Sequence, residues 1–238
     1  MLKLQLTVVL LASSQAFGAF TYRGSAMIPT GGANQVIDTS SADLIVVSVT
    51  DYYGNANWGW GEYNVGGNNT WIQVSAQGAP GGVINRLLYC LHPAHVGVSH
   101  SFYVAYSMSI TIAAYSGSAA SSVDLITGNA TSAATVQPGA ILPACTNELI
   151  VFSMGGHGAG APTISGANLR QSFGFSGSSW ANGLADSIQA SPPASINATW
   201  TNPGSADSVA IAVSFKAADG ACGGGTTAVR HRVISGGD

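Results

Sequence analysis

The chain of 238 residues is long enough for one large all-β domain and needs no second core. Charged residues make up only 7% of it, against roughly a quarter in an ordinary soluble domain. The net charge of −3 excludes a general attraction to nucleic acid. A surface of small neutral residues costs little to desolvate. Such a surface suits a protein that packs against copies of itself or is exposed outside cells.

The first 18 residues have two interpretations, which both stay open. Lys3, the apolar run 6–12 and the small residues around Gln15 resemble a short secretory signal. Apolar and polar residues also alternate over 2–8, which is strand periodicity and suits a retained N-terminal arm. No other stretch reaches the ~18 apolar residues of a membrane span, so none is predicted.

Apolar and alternating runs between turn residues predict strands along the chain, and no window favours an amphipathic helix. The predicted strands cover 19–27, 44–49, 70–75, 83–91, 100–106, 110–115, 149–154, 184–190, 196–200 and 209–215. A Ser/Ala/Gly/Thr stretch at 116–135 is predicted to link two halves. Residues 218–238 form a Gly-rich C-terminal tail, either a frayed terminus or a segment that docks on a neighbouring subunit.

Two stretches of the chain repeat each other. The matched pairs are 42–49 with 147–154, at an offset of 105 residues, and 109–116 with 208–215, at an offset of 99. Two such halves can bury a shared core as facing sheets. We therefore predict an all-β domain over 19–217: a two-sheet antiparallel sandwich, jelly-roll-like, built from pseudo-repeated halves at about 19–117 and 136–217.

Six aromatic residues fall close together and form the first candidate site. They are Tyr52, Tyr53, Trp58, Trp60, Tyr63 and Trp71. On an extended segment Trp58, Trp60 and Glu62 share one face, because side chains alternate along a strand. Flat rings beside a carboxylate and several amides suit stacking on sugar rings. Trp58, Trp60, Glu62 and Trp71 are the predicted ligand-binding residues, with packing in the core or at a subunit contact as the alternative.

The histidines and cysteines offer a second candidate site. The zinc-ligand types that cluster are Cys90, His92, His95 and His100. Their spacing fits no standard finger and turn residues interrupt it, so no metal and no cofactor are predicted; a zinc-dependent hydrolase using them is a third function class. Cys90 could also pair with Cys145 in a disulfide, which leaves Cys222 free; free buried thiols are the alternative.

The sequence carries no catalytic motif. Residues 174–177 fall one position short of a nucleophile elbow, and the ten carboxylates are dispersed. Asp43 and Glu148 hold equivalent positions ahead of repeated strands, which favours roles as turn acceptors. The chain is therefore predicted not to be an enzyme.

Seven segments carry a resemblance to a known group of domains. They are Asp43–Val49, Asn85–Cys90, His100–Tyr103, Ile110–Gly117, Gln137–Gly139, Asn147–Val151 and Ala210–Lys216. Their strand patterns resemble a loosely defined group of β-sandwich domains of tailed-phage virion proteins and secreted bacterial proteins, mostly uncharacterised. The resemblance covers about 20–217. It implies a jelly-roll-like sandwich that serves as an exposed structural or attachment module, and it provides no catalytic residue to transfer.

These observations lead to two function classes. We expect a non-enzymatic structural protein that assembles with copies of itself on an exterior surface, as a phage virion decoration, a fibre or an extracellular lattice. Both faces of 44–49 and 110–115 are apolar or small, as if both were covered. Expected partners are copies of itself, other virion proteins or surface glycans, at a virion or extracellular location. The alternative is a secreted carbohydrate- or receptor-binding module.

Overall fold

Strands supply the regular structure of the chain. The computed structural model describes residues 19–29, 34–52, 60–79, 81–104, 108–158, 160–175, 180–189, 194–203 and 207–220. These residues contain sixteen strands and no helix, so the all-β prediction is confirmed. None of them belongs to a helix with the length and apolarity that a membrane crossing requires. The predicted N-terminal segment, most of the C-terminal tail and Trp58 lie outside the described residues.

The first eight strands form two antiparallel sheets. They are β1 (Thr21–Ile28), β2 (Gln35–Ile37), β3 (Leu44–Tyr52), β4 (Trp60–Tyr63), β5 (Ile72–Gly78), β6 (Val83–Leu91), β7 (His100–Val104) and β8 (Ser109–Ser116). Five make a large sheet in the order β1-β8-β3-β6-β5, and three make a small sheet in the order β2-β7-β4. The pairs β1–β8, β2–β7 and β3–β6 are those of one long hairpin rolled over itself, which is the jelly-roll arrangement.

The next eight strands have the same topology. They are β9 (Ser118–Thr131), β10 (Thr135–Val136), β11 (Leu149–His157), β12 (Thr163–Ser165), β13 (Asn168–Phe175), β14 (Trp180–Ile188), β15 (Thr199–Thr201) and β16 (Asp207–Ala217). Raising each strand number of the first half by eight reproduces both sheet orders of the second. The stretch 116–135 is therefore not a linker: most of it is β9, whose small residues form an edge strand hydrogen-bonded along β16.

The sandwich is confirmed, but it has more layers than predicted. Each half has its own large and small sheet, and the two large sheets pack face to face. Leu44 of β3 and Leu149 of β11 belong to the buried cluster between them. Ile45, the next residue along β3, lies in the cluster that joins the first large sheet to its small sheet. A cluster around Trp200 does the same in the second half. The described residues thus form four sheets rather than two.

The strand register relates the two halves residue by residue. Leu44 pairs with Tyr115 across β3 and β8, and Leu149 pairs with Phe215 across β11 and β16. The opening strands therefore correspond at the predicted offset of 105, but the closing strands correspond at 100 (115 to 215) and not at 99. The difference matters because a slip of one residue moves every side chain to the opposite face of a strand.

Both faces of β3 and β8 are covered by the same chain. One face packs on the small sheet of the first half, and the other packs on the second half. All of β8 except Ser116 is buried. A neighbouring copy is not needed to bury these faces, so the main observation behind the expected self-association has an intramolecular explanation.

A buried polar patch joins the two large sheets by reciprocal contacts. Ser48 Oγ donates to Asn182 Oδ1 at 3.3 Å, and Ser153 Oγ donates to Asn85 Oδ1 at 2.7 Å. The two serines correspond in β3 and β11, and the two asparagines correspond in β6 and β14. Contacts exchanged in this way are those of an isologous interface, here formed within one chain.

Candidate functional site

A pocket of about 480 Å³ opens at one edge of the first half, where the small sheet ends at β4 and the large sheet ends at β5. It is lined by Trp60, Glu62, Asn68, Asn69, Trp71, Gln73 and Leu88. Three of the four predicted ligand-binding residues therefore lie together around one cavity. The fourth, Trp58, lies outside the described residues.

The local backbone explains why these residues meet. Trp60 pairs with Val104 and Glu62 pairs with Phe102, which are both buried between the sheets of the first half. Cross-strand partners share a face, so Trp60 and Glu62 point into the pocket, as their spacing predicts. After β4 the chain reverses through Asn64, whose φ of 68° is in the left-handed region.

Two indole rings form a corner of the pocket. The ring centroids of Trp60 and Trp71 lie 5.1 Å apart, and their planes meet at 77°. Phe102 supports Trp71 from inside the sandwich, with centroids 6.3 Å apart. Both indoles are half-buried, and Leu88 of β6 adds a buried apolar wall. The corner therefore presents partly exposed aromatic surface that packing already fixes in place.

The Glu62 carboxylate holds this corner together. Its Oε1 accepts hydrogen bonds from Trp71 Nε1, at 3.1 Å, and from the backbone N–H of Asn69. Its Oε2 accepts from Asn69 Nδ2, at 2.9 Å, and from His100 Nε2, at 2.8 Å. Burial alone would raise the pKa of Glu62, but the hydrogen bonds from His100, Asn69 and Trp71 outweigh it and hold this pKa below its ordinary value. The carboxylate is therefore ionised, and each of its two oxygens accepts two hydrogen bonds.

His100 extends the network into the core. Its Nδ1 lies 3.0 Å from the Thr39 hydroxyl, and its ring stacks on Phe102 with centroids 4.3 Å apart. A hydroxyl, an imidazole and a carboxylate in line have the composition of a catalytic triad. Thr39 is completely buried, however, and its hydroxyl also donates to the Gly97 carbonyl. A nucleophile must reach its substrate, so this chain of groups supports the pocket instead.

Two amides at the rim remain available to a ligand. Asn68 and Gln73 are exposed, and neither side chain makes a hydrogen bond among the described residues. Asn69 differs, because it clamps the neighbouring loop: its Oδ1 accepts from the backbone N–H of His95 and its Nδ2 donates to the His95 carbonyl, both at 2.8 Å. Asn68 and Gln73 can therefore bond to a ligand, whereas Asn69 holds the neighbouring loop in place.

The described residues give no support to the zinc alternative. In the described part of the chain, which includes Cys90, His92, His95 and His100, no three His, Cys, Asp or Glu side chains converge as metal ligands. His100 is held by Thr39 and Glu62. Burial raises the pKa of the Cys90 thiol to about 11, with the Glu62 charge adding to the effect, so this sulfur is not a ready thiolate.

The possible Cys90–Cys145 disulfide is contradicted by the structure. Cys90 is a free, buried thiol in β6, whereas Cys145 is disulfide-bonded and precedes β11 in the second half. The third cysteine, Cys222, lies outside the described residues. Spacing alone could not distinguish among the pairings of three cysteines.

The polar support of the site was not predicted from the sequence. The roles of Thr39, Asn69 and His100 depend on the pairing of β4 with β7, which brings Glu62 next to a strand almost forty residues away. No local pattern carries that information. The one sequence signal was the presence of Asn residues near the tryptophans, which indicated hydrogen-bonding capacity but not its arrangement.

Comparison with known proteins adds no family assignment. No protein-family model, no curated protein and no solved structure matches the chain. The resemblance to virion and secreted β-sandwich domains therefore stays a prediction.

Proposed function

We propose that this protein is a non-enzymatic binding module that holds a neutral carbohydrate in the pocket between Trp60 and Trp71. The observation that carries the proposal is the indole corner beside two unpaired amides. Indole faces stack on the apolar faces of sugar rings, while the amides of Asn68 and Gln73 offer both donors and acceptors to sugar hydroxyls. An apolar pocket with a few placed polar groups is the usual form of a small-molecule site.

The electrostatics of the pocket favour an uncharged ligand. Glu62 is the one ionisable residue among the described residues that line it, and its two oxygens already accept four hydrogen bonds. None of these described lining residues is cationic, so an anionic sugar would meet a buried carboxylate with no cationic side chain among them to offset the repulsion. The same saturation leaves Glu62 without a free lone pair for general-base work, which supports a binding role over catalysis.

A glycan array followed by calorimetric titration tests the proposal. We expect binding to a neutral glycan, and we expect Trp71→Ala and Gln73→Ala to weaken it by about tenfold each. Leu169→Ala, on an exposed strand of the other half, is the matched control and should bind normally. Circular dichroism checks that each variant folds. Absence of binding to every neutral glycan, or normal affinity in both pocket variants, would reject the proposal.

A second candidate function is self-assembly on an exterior surface, as a virion or extracellular structural protein. It is favoured by the two edge strands β5 and β13, which carry Ile72 and Leu169 at 48% and 43% exposed. Exposed apolar edges are templates for pairing with another chain. Sedimentation velocity should then detect oligomers that Ile72→Lys or Leu169→Lys dissociates. A protein that is monomeric over the whole accessible concentration range would exclude this function.

A further inference from the structure

We infer that a second sugar-binding subsite lies on the outer face of β4, so that one glycan chain contacts both faces of this strand. The inference rests on the proposed function, because the pocket is the first subsite. β4 is the edge of the small sheet. Trp60 and Glu62 point from it into the pocket, and the alternation of a strand puts Gly61 and Tyr63 on the opposite face.

Tyr103 makes this outer face a flat platform. It pairs with Gly61 across β7 and β4, and its phenol ring lies over the glycine backbone. A Cβ on Gly61 would lie about 2.5 Å from the Tyr103 hydroxyl, closer than real contacts allow. The glycine therefore lets the ring extend from β7 across β4 toward its open edge. Tyr103 remains 41% exposed in this position.

Tyr63 continues the platform beside Tyr103. The two ring centroids are 6.1 Å apart and the planes are tilted by 42°. Asn64 Nδ2 donates to Ser101 Oγ at 3.0 Å, which anchors a polar group next to the rings. None of these four residues is charged. Aromatic rings with adjacent hydroxyl and amide groups are suited to binding sugar rings. These four residues carry no charge with which a charged ligand could pair.

A glycan fits this face better than a second copy of the chain. Trp60 and Tyr63 are three residues apart, so the pocket and the platform are separated by about 10 Å along one strand. No described strand pairs with the outer edge of β4, so its backbone groups lie between the two subsites and can bond to sugar hydroxyls. A stable protein interface needs roughly 800 Å² on each partner, and a four-residue strand with two tyrosines is far smaller.

The test is the dependence of affinity on glycan length. The probes are the neutral oligosaccharides of one to six units from the linkage series that binds best on the array, each titrated by calorimetry. We expect the affinity of the wild-type protein to rise by about tenfold or more along the series. Tyr103→Ala and Tyr63→Ala should abolish this rise and leave the affinity for the shortest ligand unchanged. Tyr103→Phe, which keeps the ring, is the matched control and should retain the rise.

The outcomes separate the two proposals. Weaker binding at every length in Trp71→Ala, with a normal rise in Tyr103→Ala and Tyr63→Ala, overturns the second subsite and leaves the pocket standing. A wild-type affinity that does not depend on length also overturns it. Normal affinity in both Trp71→Ala and Gln73→Ala rejects the proposed function itself. A change of oligomeric state in Tyr103→Ala would assign the platform to contacts between copies and would overturn the inference.

Discussion

Replacement of Glu148 by Gln is expected to stabilise the protein at neutral and alkaline pH. Glu148 directly precedes β11 and is completely buried. Its Oε1 accepts the backbone N–H of Cys145 at 2.8 Å, whereas its Oε2 makes no well-formed hydrogen bond with a described residue, although Ser214 and Asp124 lie close enough to affect the pKa of Glu148. Burial raises the pKa of Glu148 to about 7, and the nearby Asp124 carboxylate adds to the rise. Ionised Glu148 is therefore a cost to the folded state.

The size of this cost follows from the shift in pKa. Between the ordinary value of 4.5 and about 7 the difference corresponds to about 3 kcal/mol. The folded state binds the Glu148 proton more tightly than the unfolded state, because the pKa is raised in the folded protein. This stabilisation of the folded state is fully present below pH 4.5 and is lost as the pH rises through about 7. The amide oxygen of Gln can still accept the hydrogen bond from the backbone N–H of Cys145, and the amide group does not ionise. The free energy of unfolding of Glu148→Gln should therefore not fall as the pH rises through 7.

Urea unfolding followed by tryptophan fluorescence, at unit intervals from pH 5 to pH 9, measures the effect. The free energy of unfolding of the wild-type protein should fall by about 3 kcal/mol over this range, and that of Glu148→Gln should fall much less. Asp43→Asn is the matched control, since Asp43 holds the corresponding position and accepts the amides of Gly117 and Ser118. It should be destabilised at every pH. A wild-type stability that is constant from pH 5 to pH 8 would refute the reasoning.

Four further outcomes are expected. Asn182→Leu should lower the free energy of unfolding by about 3 kcal/mol in urea, because it strands the hydroxyls of Ser48 and Thr111 between the halves. Glu62→Gln should cost about 2 kcal/mol and weaken glycan binding in calorimetry, since its amide group would face the N–H donors around it. The pKa of Glu62 is lowered, so the wild-type protein should lose this stabilisation only as the pH falls below 4.5. Calorimetric titration should saturate at one glycan per chain.

The sequence predicted the fold where the signal was local. The apolar runs of β3 and β11 could only be strands buried on both faces, and the acidic residues before them do accept loop amides, as predicted for Asp43 and Glu148. β9 was missed because a strand of small residues has no apolar period, and its partner β16 lies almost ninety residues further along. The offset of the closing strands was wrong by one residue because alternating small and apolar residues match nearly as well when shifted.

The candidate site was likewise predictable only where the sequence signal was local. Alternation along β4 placed Trp60 and Glu62 together, and this arrangement is found in the structure. Their partners could not be predicted, because the contacts of Glu62 with His100 and of His100 with Thr39 join three segments that are distant in sequence. Pairing between strands is non-local, so a sequence pattern can indicate which face a residue takes but not which residue it meets.

The two halves share a topology, but the residues at the corresponding place in their small sheets differ. Glu62 pairs with Phe102 in the first small sheet, and at the corresponding place in the second small sheet Ile164 pairs with Trp200. Trp200 is completely buried and its ring lies against Gly183, where a Cβ would approach it to 2.7 Å. The inward aromatic residue is completely buried in both halves, Phe102 in the first and Trp200 in the second, so the difference lies at Glu62 and Ile164. An isoleucine has no carboxylate to accept the hydrogen bonds that Trp71 and Asn69 donate to Glu62, so the contacts that hold the pocket of the first half have no counterpart at this position.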